Sequence, residues 1–96
     1  MRVYISGPIS GRPNGNREAF SLAADHLREH GYEPVNPHDL NPGGGTWEEC
    51  MRRDIAELVK CDAIALLPGW WSSRGALIEI QIAHVLGIQV VGKEVH

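Results

Sequence analysis

Apolar residues follow two rhythms along this chain: short unbroken runs, and longer stretches in which they recur every third or fourth position. Arg2-Val3-Tyr4-Ile5-Ser6 is a β-branched and aromatic run stopped by Gly7-Pro8, which predicts a buried strand. The next segment, Gly7 to Asn16, is crowded with turn formers, and Asn14 or Asn16 is placed to cap a helix running to about His30. Phe20, Ala23, Ala24 and Leu27 give that helix its apolar face. Gly31 stands where a helix-ending glycine belongs, and Tyr32 to Asn36 reads as a short strand that Pro34 assigns to a sheet edge.

A polar loop, Pro37 to Gly45, leads to Thr46 and Glu49, which have the spacing of a capping box. The helix opened there runs to about Lys60, with Trp47, Met51, Ile55 and Leu58 at helical spacing. Asp62 to Leu67, ended by Pro68-Gly69, is the near-continuous apolar run of a central parallel strand buried on both faces. After the loop Pro68 to Ser73, a third helix extends to about Leu86, Gly87 closes it, and Ile88 to Gly92 reads as a fourth strand. The third helix is apolar on most of its circumference, which predicts packing on more than one side.

This alternation predicts one α/β domain over residues 1–96, a small doubly wound parallel sheet of flavodoxin-like or Rossmann-like type. Right-handed crossovers and an edge position for the second strand give about four strands in the order 2-1-3-4, with three helices. Ligands in such sheets bind beyond the carboxyl ends of the strands, at the switch between the first and third. The loops 7–16 and 68–75 are therefore expected to carry the site.

Composition narrows the partners. Hydrophobic residues make up 43% and charged residues 22%, so disorder is not expected. A net charge of -3 without a basic cluster excludes a nucleic-acid polymer as partner. No run of 18 apolar residues occurs, and the first strand is too short for a signal sequence, so no membrane contact and a cytoplasmic location are expected. A chain of 96 residues buries only about two-thirds of its unfolded surface, so a deep pocket calls for a homo-oligomer, a dimer or higher. Cys50 and Cys61 read as space-filling thiols, and His26, His30, His38, His84 and His96 show no ligand spacing with them, so neither disulfide, metal nor cofactor is expected.

Within the third helix, Glu79 is a carboxylate flanked by Ile78 and Ile80 near the ligand edge. Burial there raises its pKa while the helix N-terminus favours its charge; the pattern alone is equally consistent with a solvent-facing stripe. Asp54 borders the buried face of the second helix, where it either points to the sheet or pairs on the surface with Arg52, Arg53 or Lys60. Two converging carboxylates would supply a nucleophile and a proton donor, the pair that glycosidic cleavage needs. In the first loop Gly7, Ser10, Gly11 and Arg12 suit an anion without Walker spacing. Ser73 is placed to cap the third helix and meet a phosphate, beside Arg74 and Gly75, or to serve as a cap alone. Of Trp70 and Trp71, one is expected to pack and the other to stack on a base or fill an interface.

Five stretches together resemble one family: Tyr4 to Gly11, Gly31 to Pro37, Thr46 to Ile55, Cys61 to Ile64, and Leu67 to Trp70 with Ser73 to Glu79. They resemble nucleoside 2-deoxyribosyltransferase-like proteins, and within them a small bacterial and phage group, DUF4406. The resemblance implies that Glu79, four residues after Gly75, is the nucleophile that attacks C1′, and that Asp54 contacts or protonates the base. Substrate contacts are expected at Tyr4, Gly7, Ser10, Gly11, Arg12, Trp70, Ser73, Arg74 and Gly75.

Deoxyribosyltransferases carry an aspartate six residues before the nucleophile, where this chain has Ser73. In that respect it is similar to nucleoside 5′-monophosphate N-glycosidases, so a nucleotide is expected over a free nucleoside. The family's transferases borrow C-terminal residues from a neighbouring subunit, and this chain stops at His96 just after the fourth strand, which counts against transferase activity and leaves binding without cleavage open. The expected activity is therefore cleavage or exchange of an N-glycosidic bond. The rivals are a non-catalytic module that sequesters or senses a nucleotide, and an oligomeric interaction protein whose tryptophans and third helix serve only contacts.

Overall fold

The computed structural model describes residues 1–91. In chain order it holds β1 (Arg2–Ser6), a 3-10 turn (Pro13–Asn16), α1 (Arg17–Glu29), β2 (Glu33–Val35) and α2 (Pro37–Leu40). There follow α3 (Trp47–Leu58), β3 (Ala63–Leu66), a second 3-10 turn (Trp70–Ser72), α4 (Arg74–Val85) and β4 (Gln89–Val91). All neighbouring strands run parallel in the order β2-β1-β3-β4, as the sequence predicts. Of the predicted fourth strand, Gly92 lies outside the described residues.

Strand alternation sorts β1 between two cores. Val3 and Ile5 join Phe20, Ala24 and Leu27 of α1 on one face of the sheet. Tyr4 turns to the other face, where it packs with Leu58, Ile64, Leu66 and Ala83 beneath α3 and α4. Ser6 shares the phase of Tyr4 and pairs in register with Leu66, so the ends of β1 and β3 lie side by side. Gly31 and Gly87 end their helices in the left-handed region, φ 83° and 72°, and both halves of the Thr46/Glu49 capping box are formed.

Four features differ from expectation. Neither Asn14 nor Asn16 caps α1: Asn16 stands at the cap position but is left-handed (φ 61°), and its Nδ2 donates instead to Pro8 O at 2.9 Å. The expected loop after β2 contains a helical turn, α2, because the Asn36 side chain accepts from His38 N at 3.0 Å and Pro37 fixes the first helical φ. The described residues thus hold four helices rather than three. Finally, α4 packs on one side: Ala76, Glu79 and Ala83 are buried, while Leu77, Val85 and Leu86 are exposed by 46%, 75% and 55%. Among the described residues no helix is long and apolar enough to cross a membrane.

Candidate active site

Beyond the carboxyl ends of β1 and β3, the loops 7–17 and 37–45 and the first turns of α3 and α4 enclose a cavity of about 850 Å³. Both expected loops line it, and Asp54 and Glu79 reach it together.

Glu79 occupies the inner face of α4 and is only 5% exposed. Tyr4 Oη donates to its Oε2 at 2.7 Å and Ser6 Oγ to its Oε1 at 2.7 Å, so both oxygens are oriented from β1. Burial pushes its pKa up to about 7; the two hydroxyls pull the other way, and the nearby charge of Asp54 adds to the rise. Burial beside this carboxylate also pushes the Tyr4 phenol well above its ordinary value, so Tyr4 stays a donor.

Asp54, also 5% exposed, points inward and not to a surface partner. Asn41 Nδ2 donates to its Oδ1 at 2.8 Å. Of its expected surface partners, Lys60 pairs with Glu57 at 3.2 Å, while Arg53 donates to Asn41 Oδ1 and Gly44 O, each at 3.1 Å. Burial raises Asp54 to about 6, opposed by the Asn41 hydrogen bond and the Arg53 charge. The cavity therefore holds two carboxyl groups that titrate near neutrality, each able to hold or release a proton there.

The phosphate candidates lie around the same opening. Ser73 Oγ accepts from Ala76 N at 3.2 Å and so caps α4, and Ser73 to Ala76 at the start of that helix line the cavity. The Arg74 guanidinium is fixed over the Trp47 ring, 4.2 Å from its centroid. Arg12 crosses Gly69, where an added Cβ would come within 2.6 Å of its Nη2. Gly7 lines the cavity, but its size is demanded by packing: a Cβ there would sit 2.7 Å from Leu67 Cβ.

Tyr4, Gly7, Ser10, Arg12, Ser73, Arg74 and Gly75 all line the cavity; Gly11 and Trp70 are not among its lining residues. Gly11 makes a turn at φ 78°, and Trp70 packs onto the core beneath α4, edge-on to an exposed Trp71 at 5.8 Å. The tryptophan that lines the cavity is instead Trp47. Sequence patterns also passed over Ser6, Asn41 and His38. Ser6 was visible as the residue in phase with Tyr4 at the strand end, whereas Asn41 carries no periodic signal. His38 Nε2 meets Gly15 O at 2.8 Å and its ring stands edge-on to Phe20 at 5.0 Å, fastening the first loop to α2. Among the described residues no group of histidine, cysteine, aspartate or glutamate is arranged to hold a metal ion.

A family model described as a domain of unknown function, DUF4406, matches residues 1–92. No curated protein matches the chain in sequence. Among solved structures, a 2-deoxyribosyltransferase from the psychrotolerant bacterium Bacillus psychrosaccharolyticus superposes with a TM-score of 0.73 at 20% identity, over 94% of this chain and 69% of that one. The Clostridium botulinum CMP N-glycosidase BcmB superposes with a TM-score of 0.66 at 22% identity, over 94% of this chain and 66% of its own. The chain thus shares their fold and spans about two thirds of the length of each.

Proposed function

The chain belongs to the DUF4406 family, and from that premise we propose that it cleaves or exchanges the N-glycosidic bond of a nucleoside 5′-monophosphate or nucleoside held in the cavity. The observation that carries this reading is Glu79: a carboxylate in the floor of the cavity, gripped through both oxygens by Tyr4 and Ser6 and paired with no cation among the described residues. A buried carboxylate without a cation costs stability, and an apolar residue would serve packing better. The fold shared with a 2-deoxyribosyltransferase and a CMP N-glycosidase supports the same substrate class.

In this mechanism ionised Glu79 attacks C1′ of the sugar. The C–N bond breaks with its electron pair moving to the base, and Asp54 gives its proton to the departing base nitrogen. Water, or a second base, then attacks C1′ of the glycosyl ester, freeing Glu79 and returning a proton to Asp54. Ser73, Arg74, Ser10 and Arg12 hold the 5′-phosphate, with the α4 N-terminus behind it. The same reading has the chain working in the cytoplasm as a homo-oligomer, a second copy covering Leu77, Val85 and Leu86 of α4.

Chromatography of a panel of nucleosides and nucleoside 5′-monophosphates, with and without a second free base, tests the proposal. Free base alone marks a hydrolase, and a new nucleoside marks a transferase. A nucleotide that raises the melting temperature yet stays intact throughout overturns catalysis and leaves a nucleotide-binding module.

A further inference from the structure

One polar side chain in the cavity wall has its hydrogen-bonding groups engaged by protein on every side. Asn41 Nδ2 donates to Pro37 O at 2.9 Å and to Asp54 Oδ1 at 2.8 Å, and Asn41 Oδ1 accepts from Arg53 Nε at 3.1 Å. Arg53 also donates to Gly44 O at 3.1 Å, so one guanidinium fixes both the amide and the loop between α2 and α3. These neighbours settle the amide's orientation. Turned over, its oxygen would face two acceptors and its NH₂ would face the Arg53 donor.

An N–H aimed at Asp54 Oδ1 requires that oxygen to accept whether or not the carboxyl is protonated. A proton on Asp54 therefore sits on Oδ2. No hydrogen bond engages Oδ2 among the described residues, and it is not a sealed polar atom lacking a partner, so it opens to the cavity that Asp54 lines.

We propose that Asn41 is a positioning residue that makes Asp54 a directional acid, confining the transferable proton to Oδ2 on the cavity side. The proposal rests on the reading of Asp54 as proton donor. Charged and titratable groups face Asp54 from three elements: Arg53 on its own helix, Glu79 on α4 and Tyr4 on β1. Arg53 and the Asn41 amide favour its ionised form, whereas ionised Glu79 opposes it.

Two variants test this, with Asp54→Asn as reference. Asn41→Leu removes the donor, and Asn41→Asp keeps the shape but sets a second carboxyl against the first. The readouts are the Asp54 titration, followed by carboxyl-carbon NMR on the free protein, and base release from a panel of nucleoside 5′-monophosphates. The expected result is an Asp54 midpoint moved to higher pH in Asn41→Leu and further in Asn41→Asp. Base release should show kcat lowered by about tenfold and KM little changed. An unmoved midpoint in both variants overturns the proposal even where Asp54→Asn is inactive. Wild-type turnover by Asp54→Asn instead removes Asp54 as proton donor, and with it the catalytic part of the inference, while the NMR shift still reports the Asn41 contact.

Discussion

Tyr4 Oη donates to Glu79 Oε2 at 2.7 Å, tying β1 to α4 across 75 positions of sequence. The contact follows from strand phase: Tyr4 and Ser6 alternate onto the face of β1 that lies under α4, and Ser6 takes the other oxygen. A buried carboxylate so held has fixed lone-pair directions, and its ionised form is favoured by two donors while burial opposes it.

Tyr4→Phe deletes one of those donors without loss of the ring. The Glu79 pKa should then rise above about 7. Attack needs ionised Glu79 beside protonated Asp54, the minor singly protonated form when Asp54 lies near 6 and Glu79 near 7. The variant should therefore make that form rarer and move the alkaline limb of the pH profile upward while the acidic limb stays in place. Base release near neutral pH should fall by about tenfold. A profile that superimposes on wild type would remove Tyr4 from the mechanism.

Stability should carry the same signature with a definite sign. The folded-state pKa of Glu79 lies near 7 against 4.5 for the free group, so between those values the native state binds more protons than the unfolded chain. Glu79 therefore lowers stability as pH rises through that window, by on the order of 3 kcal/mol. Glu79→Gln keeps the volume and an acceptor but no charge. It should melt above wild type on the alkaline side of the window and nearly match it on the acidic side; equal melting at both ends contradicts the assigned burial.

Ser73→Ala should separate capping from phosphate binding. Loss of the α4 cap lowers stability by about 1 kcal/mol. Affinity for a monophosphate should fall while that for the matching nucleoside hardly changes. Arg12→Ala should reproduce the affinity change without the drop in melting temperature. Calorimetric titration with the two ligands reads the difference, and an equal loss for both ligands would argue that neither residue meets phosphate.

Gly7 and Gly75 both line the cavity, yet they should respond differently to alanine. At Gly7 the new Cβ meets Leu67 Cβ at 2.7 Å, between two strand ends that cannot both retreat, so the cost should be about 1–3 kcal/mol. At Gly75 it meets Met51 Sδ at 3.2 Å, and a thioether can turn aside. Urea unfolding should therefore rank Gly7→Ala well below Gly75→Ala, and the reverse order would undo the packing account of Gly7.

Much of this architecture is legible in local periodicity. Each strand is a run the helical period cannot accommodate, and Pro34 in β2 and the apolar span of β3 carry the sheet order. Glu79 is visible because it interrupts an apolar helix near the ligand edge. What stays hidden depends on contacts between distant segments. Asn41 and Asp54 come together only when the loop after α2 folds back on α3, and Asn16 is left-handed because its side chain is engaged by Pro8 O and not by its own helix. Trp70 and Trp71 are equivalent in sequence, yet after the left-handed Gly69 it is Trp70 that packs onto the core while Trp71 is exposed.

Base release by Glu79→Gln beside wild type, on protein shown by melting to be folded, tests the central claim most directly. Nucleoside 5′-monophosphates are the substrates, and peptide mass spectrometry follows a rapid quench. The account predicts free base from wild type with a sugar-phosphate adduct on the Glu79 peptide, and neither from the variant. Release by Glu79→Gln at the wild-type rate would contradict it.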